Sequence, residues 1–232
     1  MNLSLKSILE GNLLLVDKPL EWTSFQTVNK LRWALKKKYK LKKLKLGHAG
    51  TLDPLATGLL LICTGKMTKK ISEIQALDKA YTGTITLGAS TPSYDLETEI
   101  DQNFPIDHIT KNQINLVKKK FEGEIYQYPP IFSAIKRKGK RLYEYARSGK
   151  KIRIEARKVT LHEFDFTQID LPQLNFHVRC SKGTYIRSLA HDFGKSLQSG
   201  GYLSHLRRTA IGSYRLADAF TPDQILKQLE VL

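Results

Sequence analysis

Gly47-His48-Ala49-Gly50-Thr51-Leu52-Asp53-Pro54-Leu55-Ala56-Thr57-Gly58-Leu59-Leu60 is the stretch that organises the rest of the chain. Its three glycines and one proline predict a tightly shaped loop in which backbone segments approach closely. Asp53 stands between Leu52 and Leu55, just ahead of the apolar run Leu59 to Leu61. A carboxylate enclosed in that way is poorly hydrated, the condition in which it serves as a nucleophile or a base. The same residues admit a purely structural reading. Asp before Pro is a standard helix start, with Asp53 as N-cap and Pro54 at the first helical position. Local pattern alone leaves both readings open.

Outward from the loop, strand-like and helix-like segments alternate along the chain. Gly11 to Lys18 reads as a strand stopped by Pro19. Thr23 or Ser24 caps a helix with Phe25, Val28, Leu31 and Leu35 on one face. Leu59 to Thr64 and Tyr81 to Leu87 read as strands, the second alternating over Tyr81, Gly83, Ile85 and Leu87. Thr110 caps a helix that uses Ile114, Val117 and Phe121. Val159 to Phe166 and Leu174 to Cys180 are further strands, Thr184 to Leu197 a helix, and Thr221-Pro222 opens a last one. The mixture predicts an α+β fold on a mixed, largely antiparallel sheet flanked by helices. No repeat or Gly/Ser linker divides it, so a single domain over 1–232 is expected.

Charge is distributed unevenly. The 232 residues carry a net charge of +16, a surplus that favours a polyanionic partner through counterion release. Lys36 to Lys45 (KKKYKLKKLK) holds seven lysines and no acid. Lys136 to Lys158 holds eleven basic residues against Glu144 and Glu155, and so supplies nine of the sixteen charges. Tyr143 and Tyr145 lie inside that second stretch, and Tyr126 and Tyr128 precede it. Planar rings among cations suit RNA, which offers bases to stack as well as phosphates.

Other classes are disfavoured. Cys63 and Cys180 form no C-x-x-C pair, and the six histidines are scattered, so neither a disulfide framework nor a metal site is expected. No apolar run approaches the roughly 20 residues that span a bilayer, and the N-terminus is no signal peptide. A cytoplasmic monomer without membrane contact is expected. A two-metal nuclease would need several clustered acids, and the loop offers one.

GHAGTLDPLATGLL resembles the catalytic motif of the TruB-type tRNA pseudouridine synthases, and the resemblance runs in family order from about residue 11 to 216. Leu14-Leu15-Val16-Asp17-Lys18-Pro19 with Thr23-Ser24 is similar to the family's N-terminal signature, and Lys79-Ala80-Tyr81 to its tyrosine motif. Tyr128-Pro129-Pro130, Ser133-Ala134-Ile135-Lys136 and Gly139 through Arg147 resemble its RNA-gripping insertion, about 129–158 here. Cys180 through Arg187 and Leu206-Arg207-Arg208 resemble the remaining pocket motifs.

The resemblance implies a pseudouridine synthase fold and isomerisation of the T-loop uridine at position 55 of tRNA, with the base flipped out and no cofactor. Asp53 takes the place of the essential carboxylate; attack on C6, attack on C1′ and removal of a ribose proton all stay open to it. Arg187 is implied as its cationic partner, countering the desolvation that would raise the carboxylate pKa. Tyr81 packs on the target base and is a candidate for handling the C5 proton. Tyr185 and Leu206 wall the pocket, His48 inserts into the T-loop, and Lys18 supports the site. Lys136, Arg137, Lys138, Lys140, Arg141 and Arg147 are the expected contacts to the tRNA T-arm backbone. Two departures stand out. Ala49 and Thr51 occupy positions where many bacterial members have Thr and Ala, a small-for-small exchange. The chain also ends soon after Leu206-Arg207-Arg208, where many relatives continue into a PUA-type domain. None is expected here, which leaves the insertion with more of the binding. Two rivals remain: a non-catalytic RNA-binding protein, which would not need Asp53, Tyr81, Tyr185 and Arg187, and a guide-RNA-dependent enzyme acting on ribosomal RNA.

Overall fold

Thr23, Thr110 and Thr221 each start a helix by the same device. Each side chain accepts a hydrogen bond from the backbone N–H of the glutamine three residues on, and that glutamine reaches back to the threonine N–H. The computed structural model describes residues 3–230 except 134, 138, 149–151 and 153; for 136, 137, 141, 143, 146 and 147 it describes the backbone alone. The chain begins α1 (Leu5–Glu10), β1 (Leu13–Lys18), α2 (Ser24–Tyr39), β2 (Leu46–His48), β3 (Ala56–Thr64), α3 (Ile71–Ala76) and β4 (Lys79–Leu87). Next come β5 (Ala89–Ser90), β6 (Gln102–Asn103), α4 (Lys111–Lys119), β7 (Gly123–Gln127), β8 (Lys136–Arg137), β9 (Lys140–Arg141) and α5 (Leu142–Arg147). It closes with β10 (Arg157–Asp170), β11 (Gln173–Cys180), α6 (Ile186–Ser196), β12 (Gly201–Ile211), β13 (Tyr214–Arg215) and α7 (Pro222–Gln228).

The elements divide into two compact units, one of residues 1–81 and 206–232, the other of residues 82–205. In the first, β3 is the central strand. It pairs antiparallel with β1, from Leu13↔Cys63 to Lys18↔Gly58, and parallel with the end of β12, Leu206↔Ala56 to Arg208↔Gly58. Leu60 and Ile62 face Leu14, Val16, Val28, Leu31, Leu35 and the α7 residues Ile225 and Leu226. Leu59, Leu61 and Cys63 face Ala49, Ile74 and Ile211. Burial on both faces explains why β3 is continuously apolar instead of alternating. In the second unit the strand order is β4-β11-β10-β7, with β10 antiparallel to both β11 and β7. Phe164 and Phe166 meet Phe193 of α6, Phe164 edge to face at 5.9 Å, and Phe164 also meets Phe176 at 6.0 Å.

The α+β expectation is met, and two details are corrected. Phe25 does not join the buried face of α2; it is 63% exposed, while Thr27, Val28, Leu31, Ala34 and Leu35 are buried. At about 100° per residue Phe25 lies well off the stripe those five define. The helix expected from Thr184 begins instead at Ile186. Tyr185 keeps an extended backbone, and its N–H is taken by the Gln127 side chain at 3.0 Å.

Candidate active site

Asp53 heads a turn, not a helix. The Ala56 N–H donates to the Asp53 carbonyl at 3.1 Å, and β3 starts at Ala56, so the helix-cap reading of Asp53-Pro54 fails. The residues around it are fixed from several sides. Buried Ser24, at the first turn of α2, exchanges both hydrogen bonds with the Leu52 backbone, at 2.9 and 3.1 Å. The Glu21 N–H donates to the Pro54 carbonyl at 2.9 Å. Leu52 is buried and Asp53 half-buried.

Two wholly buried cations sit behind the loop. Lys18, opposite Gly58 at the end of β1, donates from Nζ to the carbonyls of Pro19 (2.8 Å), Trp22 (2.5 Å) and Pro54 (3.3 Å). Burial pulls its pKa down to about 8; the Asp53 carboxylate works in the opposite direction, and Arg208 adds to the lowering. Arg208 donates to the carbonyls of Leu59 (2.7 Å), Gly50 (3.1 Å) and Thr51 (3.3 Å), so that its planar fork ties both limbs of the loop to β12. Gly58 has φ +99°, and a Cβ there would fall well inside contact distance of the Arg208 backbone. Only glycine permits that approach. His48, on β2, is half-buried; burial lowers its pKa and so favours the neutral ring, a hydrogen bond to the Gly50 backbone works the other way, and Arg208 adds to the lowering. Tyr81 and Leu206 are buried in the same unit. Arg207 pairs with Asp17 at 2.7 Å.

The second unit holds Arg187 and Tyr185. Arg187, in the first turn of α6 and only 4% exposed, donates to the carbonyls of Ser93 (3.1 Å) and Phe132 (3.0 Å), and its Nε lies 3.6 Å from buried Asp95. Sequence reasoning missed Asp95 and the grip on the segment that carries it. Tyr94 takes a left-handed backbone, φ +64°, and stacks on His191 at 3.9 Å between centroids. His191 lies one helical turn beyond Arg187, so α6 holds residues 93–95 with two side chains. Thr91 and Ser93 hydroxyls both donate to the Asp95 carbonyl. A run of Thr, Pro, Ser and Asp just after a strand is the signal that could have marked this turn. Burial lowers the pKa of His191, Lys195 adding to the effect, and burial raises that of Asp192 to about 6.

Of the expected backbone contacts, Lys138 lies outside the described residues, as do the side chains of Lys136, Arg137, Arg141 and Arg147. The main chain there forms the hairpin β8–β9 and helix α5. Lys140 is exposed. A cavity of about 220 Å³ opens in the same region, lined by Pro129, Ile135, Leu142, Ile154 and Arg157. Tyr126 and Tyr128, which lead into the insertion, are 72% and 63% exposed. Among the described residues no three His, Cys, Asp or Glu side chains gather where a metal ion could be held, and no helix is long and apolar enough to cross a membrane.

The fold is that of a pseudouridine synthase. Over 96% of its length the chain superposes on a solved structure, a Cbf5–Nop10–Gar1 complex, with a TM-score of 0.71 and 29% identity, and it spans 55% of that longer chain. Within this class the chain belongs to the TruB family. Residues 36–186 match the profile of the TruB family pseudouridylate synthase N-terminal domain, and residues 187–231 that of the tRNA pseudouridylate synthase B C-terminal domain. It is 65% identical over 91% of its length to a tRNA pseudouridine synthase B of Flavobacterium johnsoniae, covering 93% of that protein. To the protein of the same name from Chloroherpeton thalassium it is 51% identical, covering 95% of this chain and 91% of the relative.

Proposed function

We infer that the chain converts uridine to pseudouridine in tRNA and that its target is the T-loop uridine at position 55. The observation that carries this is the seat of Asp53. The one carboxylate of the loop stands on a turn at the head of β3, whose neighbouring carbonyls are held by buried Lys18 and Arg208. A reacting group held by pre-formed contacts needs little reorganisation when substrate arrives. The family, and relatives that carry the name tRNA pseudouridine synthase B, supply the chemistry.

Uridine and pseudouridine are isomers. The N1–C1′ bond breaks, a C5–C1′ bond forms, C5 loses its proton and N1 gains one. Electrons balance, so the step calls for no redox cofactor. Asp53 starts the reaction as the carboxylate, and Arg187 supplies a fixed cation to the substrate. By the family resemblance Tyr81 packs on the base and handles the C5 proton, and Tyr185 and Leu206 contribute to holding the base. Lifting the base out of its stack costs roughly a few kcal/mol, part of which His48 recovers by entering the gap. The insertion and its tyrosines grip the T-arm.

The test is tritium release from tRNA labelled at C5 of uridine, with purified protein and no other RNA. The expected outcome is stoichiometric release, reduced by at least roughly 10³-fold in Asp53→Asn with tRNA affinity within about twofold of wild type. Release by Asp53→Asn at more than a few per cent of the wild-type rate would sink the assignment. A requirement for an added guide RNA would transfer the reading to the guide-dependent class.

A further inference from the structure

We propose that the outer face of α2, centred on Trp33 and continued by the lysines after it, is a second RNA-contact surface, separate from the insertion. It takes phosphates on its lysines and the flat face of a base on Trp33. The proposal rests on the reading of tRNA as substrate.

From Lys30 to Lys45 the chain carries nine basic residues, and no acid occurs between Thr23 and Leu52 to offset them. On α2, Val28, Leu31, Ala34 and Leu35 turn into the core, which puts Trp33 near the middle of the opposite face. Trp33 is 51% exposed, with the ammonium groups of Lys30 and Lys37 at 5.8 and 5.0 Å from its ring centre. Lys37, Lys40, Lys42, Lys43 and Lys45 are all exposed or half-exposed, and Lys38 pairs with Glu230 at 2.8 Å.

A plainer account of the lysines is that they offset the partial negative charge at the helix C-terminus. It covers Lys36 to Lys38, which lie in the last turn. It does not extend to Lys42, Lys43 and Lys45, which follow the helix, and it gives no reason for an indole on the solvent side. A large ring framed by cations is the arrangement that holds single bases without regard to sequence. An acidic protein segment would match the charge but would leave Trp33 without a planar partner.

The placement suits one RNA molecule reaching both sites. Ser24, at the start of α2, is bonded to Leu52 beside Asp53. At 1.5 Å per residue Trp33 lies about 13 Å further along the helix axis and Lys37 about 20 Å. Nucleotides flanking a uridine held at Asp53 fall within that range.

The experiment titrates wild type and Trp33→Phe with tRNA, following indole emission beside the anisotropy of labelled tRNA. The difference between the two emission curves should show quenching of Trp33 that saturates with the anisotropy. Lys30→Glu/Lys37→Glu should weaken tRNA binding about tenfold and flatten the slope of log affinity against log salt by roughly 0.7–0.9 for each phosphate no longer neutralised. Tritium release at saturating tRNA should stay within about twofold. Bound tRNA with no Trp33 quenching, or charge reversals that leave affinity and salt slope unchanged, would overturn the proposal while the functional reading stood on normal turnover. Quenching without turnover would do the reverse.

Discussion

Lys18 at the end of β1 and Lys37 on α2 carry the same ammonium group within one unit, in opposite settings. Lys18 is wholly buried and gives its N–H groups to three backbone carbonyls. Lys37 is exposed, and its ammonium lies over the Trp33 ring at 5.0 Å from the ring centre. Arg208 belongs with Lys18, and Lys40, Lys42, Lys43, Lys45 and Lys140, all exposed, belong with Lys37. A buried cation is tolerated only when its donors are satisfied, and once satisfied it fixes whatever it touches. An exposed one fixes nothing, is screened by salt, and acts by drawing a polyanion in. The first group holds the backbone on either side of Asp53; the second carries the charge on which the proposed RNA contacts rest.

The largest effect that would break this division is expected at Arg208. Arg208→Lys keeps the charge but cannot span the carbonyls of Gly50, Thr51 and Leu59 with one planar fork. Each carbonyl left buried and unpaired costs about 1–3 kcal/mol, so the urea midpoint should fall clearly. The loop should shift enough to lower single-turnover rate by roughly 10²-fold. Binding of tRNA should change less than about twofold, with an unaltered salt slope. A variant with normal rate and weakened, less salt-sensitive binding would move Arg208 into the other group.

Much of this was legible in the sequence, and what was not has a common cause. The three capped helices, β1, β4 and the β10–β11 hairpin were readable because capping chemistry and apolar periodicity agree there. β12 escaped notice, although it is among the longest strands. Its buried positions include Gly201 and Arg208, and its exposed ones His205, so hydropathy shows no alternation. Arg208 and Lys18 look like surface residues to any hydropathy rule, since a sequence does not reveal that backbone carbonyls will gather around a charge. The turn at Asp53 was legible because the glycines and proline that shape it adjoin it, whereas a role for its carboxylate came only from the resemblance of the whole motif. Asp95 was not, since its setting comes from α6, some ninety residues later, where Arg187 and His191 reach back to residues 93–95. Contacts made by chain neighbours can be read; contacts made by the fold cannot.

The insertion sharpens the comparison from the other side, with a smaller effect confined to binding. Replacing Lys136, Arg137, Lys138 and Lys140 by glutamine removes four charges from the insertion. Affinity for an isolated T-arm hairpin should fall, and the salt slope should flatten by up to roughly 0.7–0.9 for each phosphate that loses its cation. Rates at saturating RNA and the urea midpoint should stay near wild type, because Asp53, Tyr81 and Arg187 lie outside the segment. An unaltered slope would leave α2 as the main electrostatic grip.

The smallest expected effect concerns Lys18, and it follows from the sign of its shift. Burial holds its folded-state pKa at about 8, against an ordinary lysine value of 10.5. Below pH 8 the ammonium is protonated in both states, and the folded protein bears the full cost of keeping it from water. Between pH 8 and 10.5 the unfolded chain binds the proton more strongly than the folded one, so this residue makes stability rise with pH. From pH 7.5 to 9.5 the rise amounts to roughly 2 kcal/mol. Lys18→Met fills similar space without the charge, and should lack it. Other groups titrate in this range, but equally in both proteins, so the difference between their urea unfolding free energies at the two pH values isolates Lys18. Wild type should gain on the variant as pH rises, and added salt should change the gain little, because the charge is enclosed. A difference independent of pH would mean that Lys18 keeps an ordinary pKa in the folded protein and is solvated like Lys37. The division between cations that fix the loop and cations that recruit RNA would then rest on Arg208 alone.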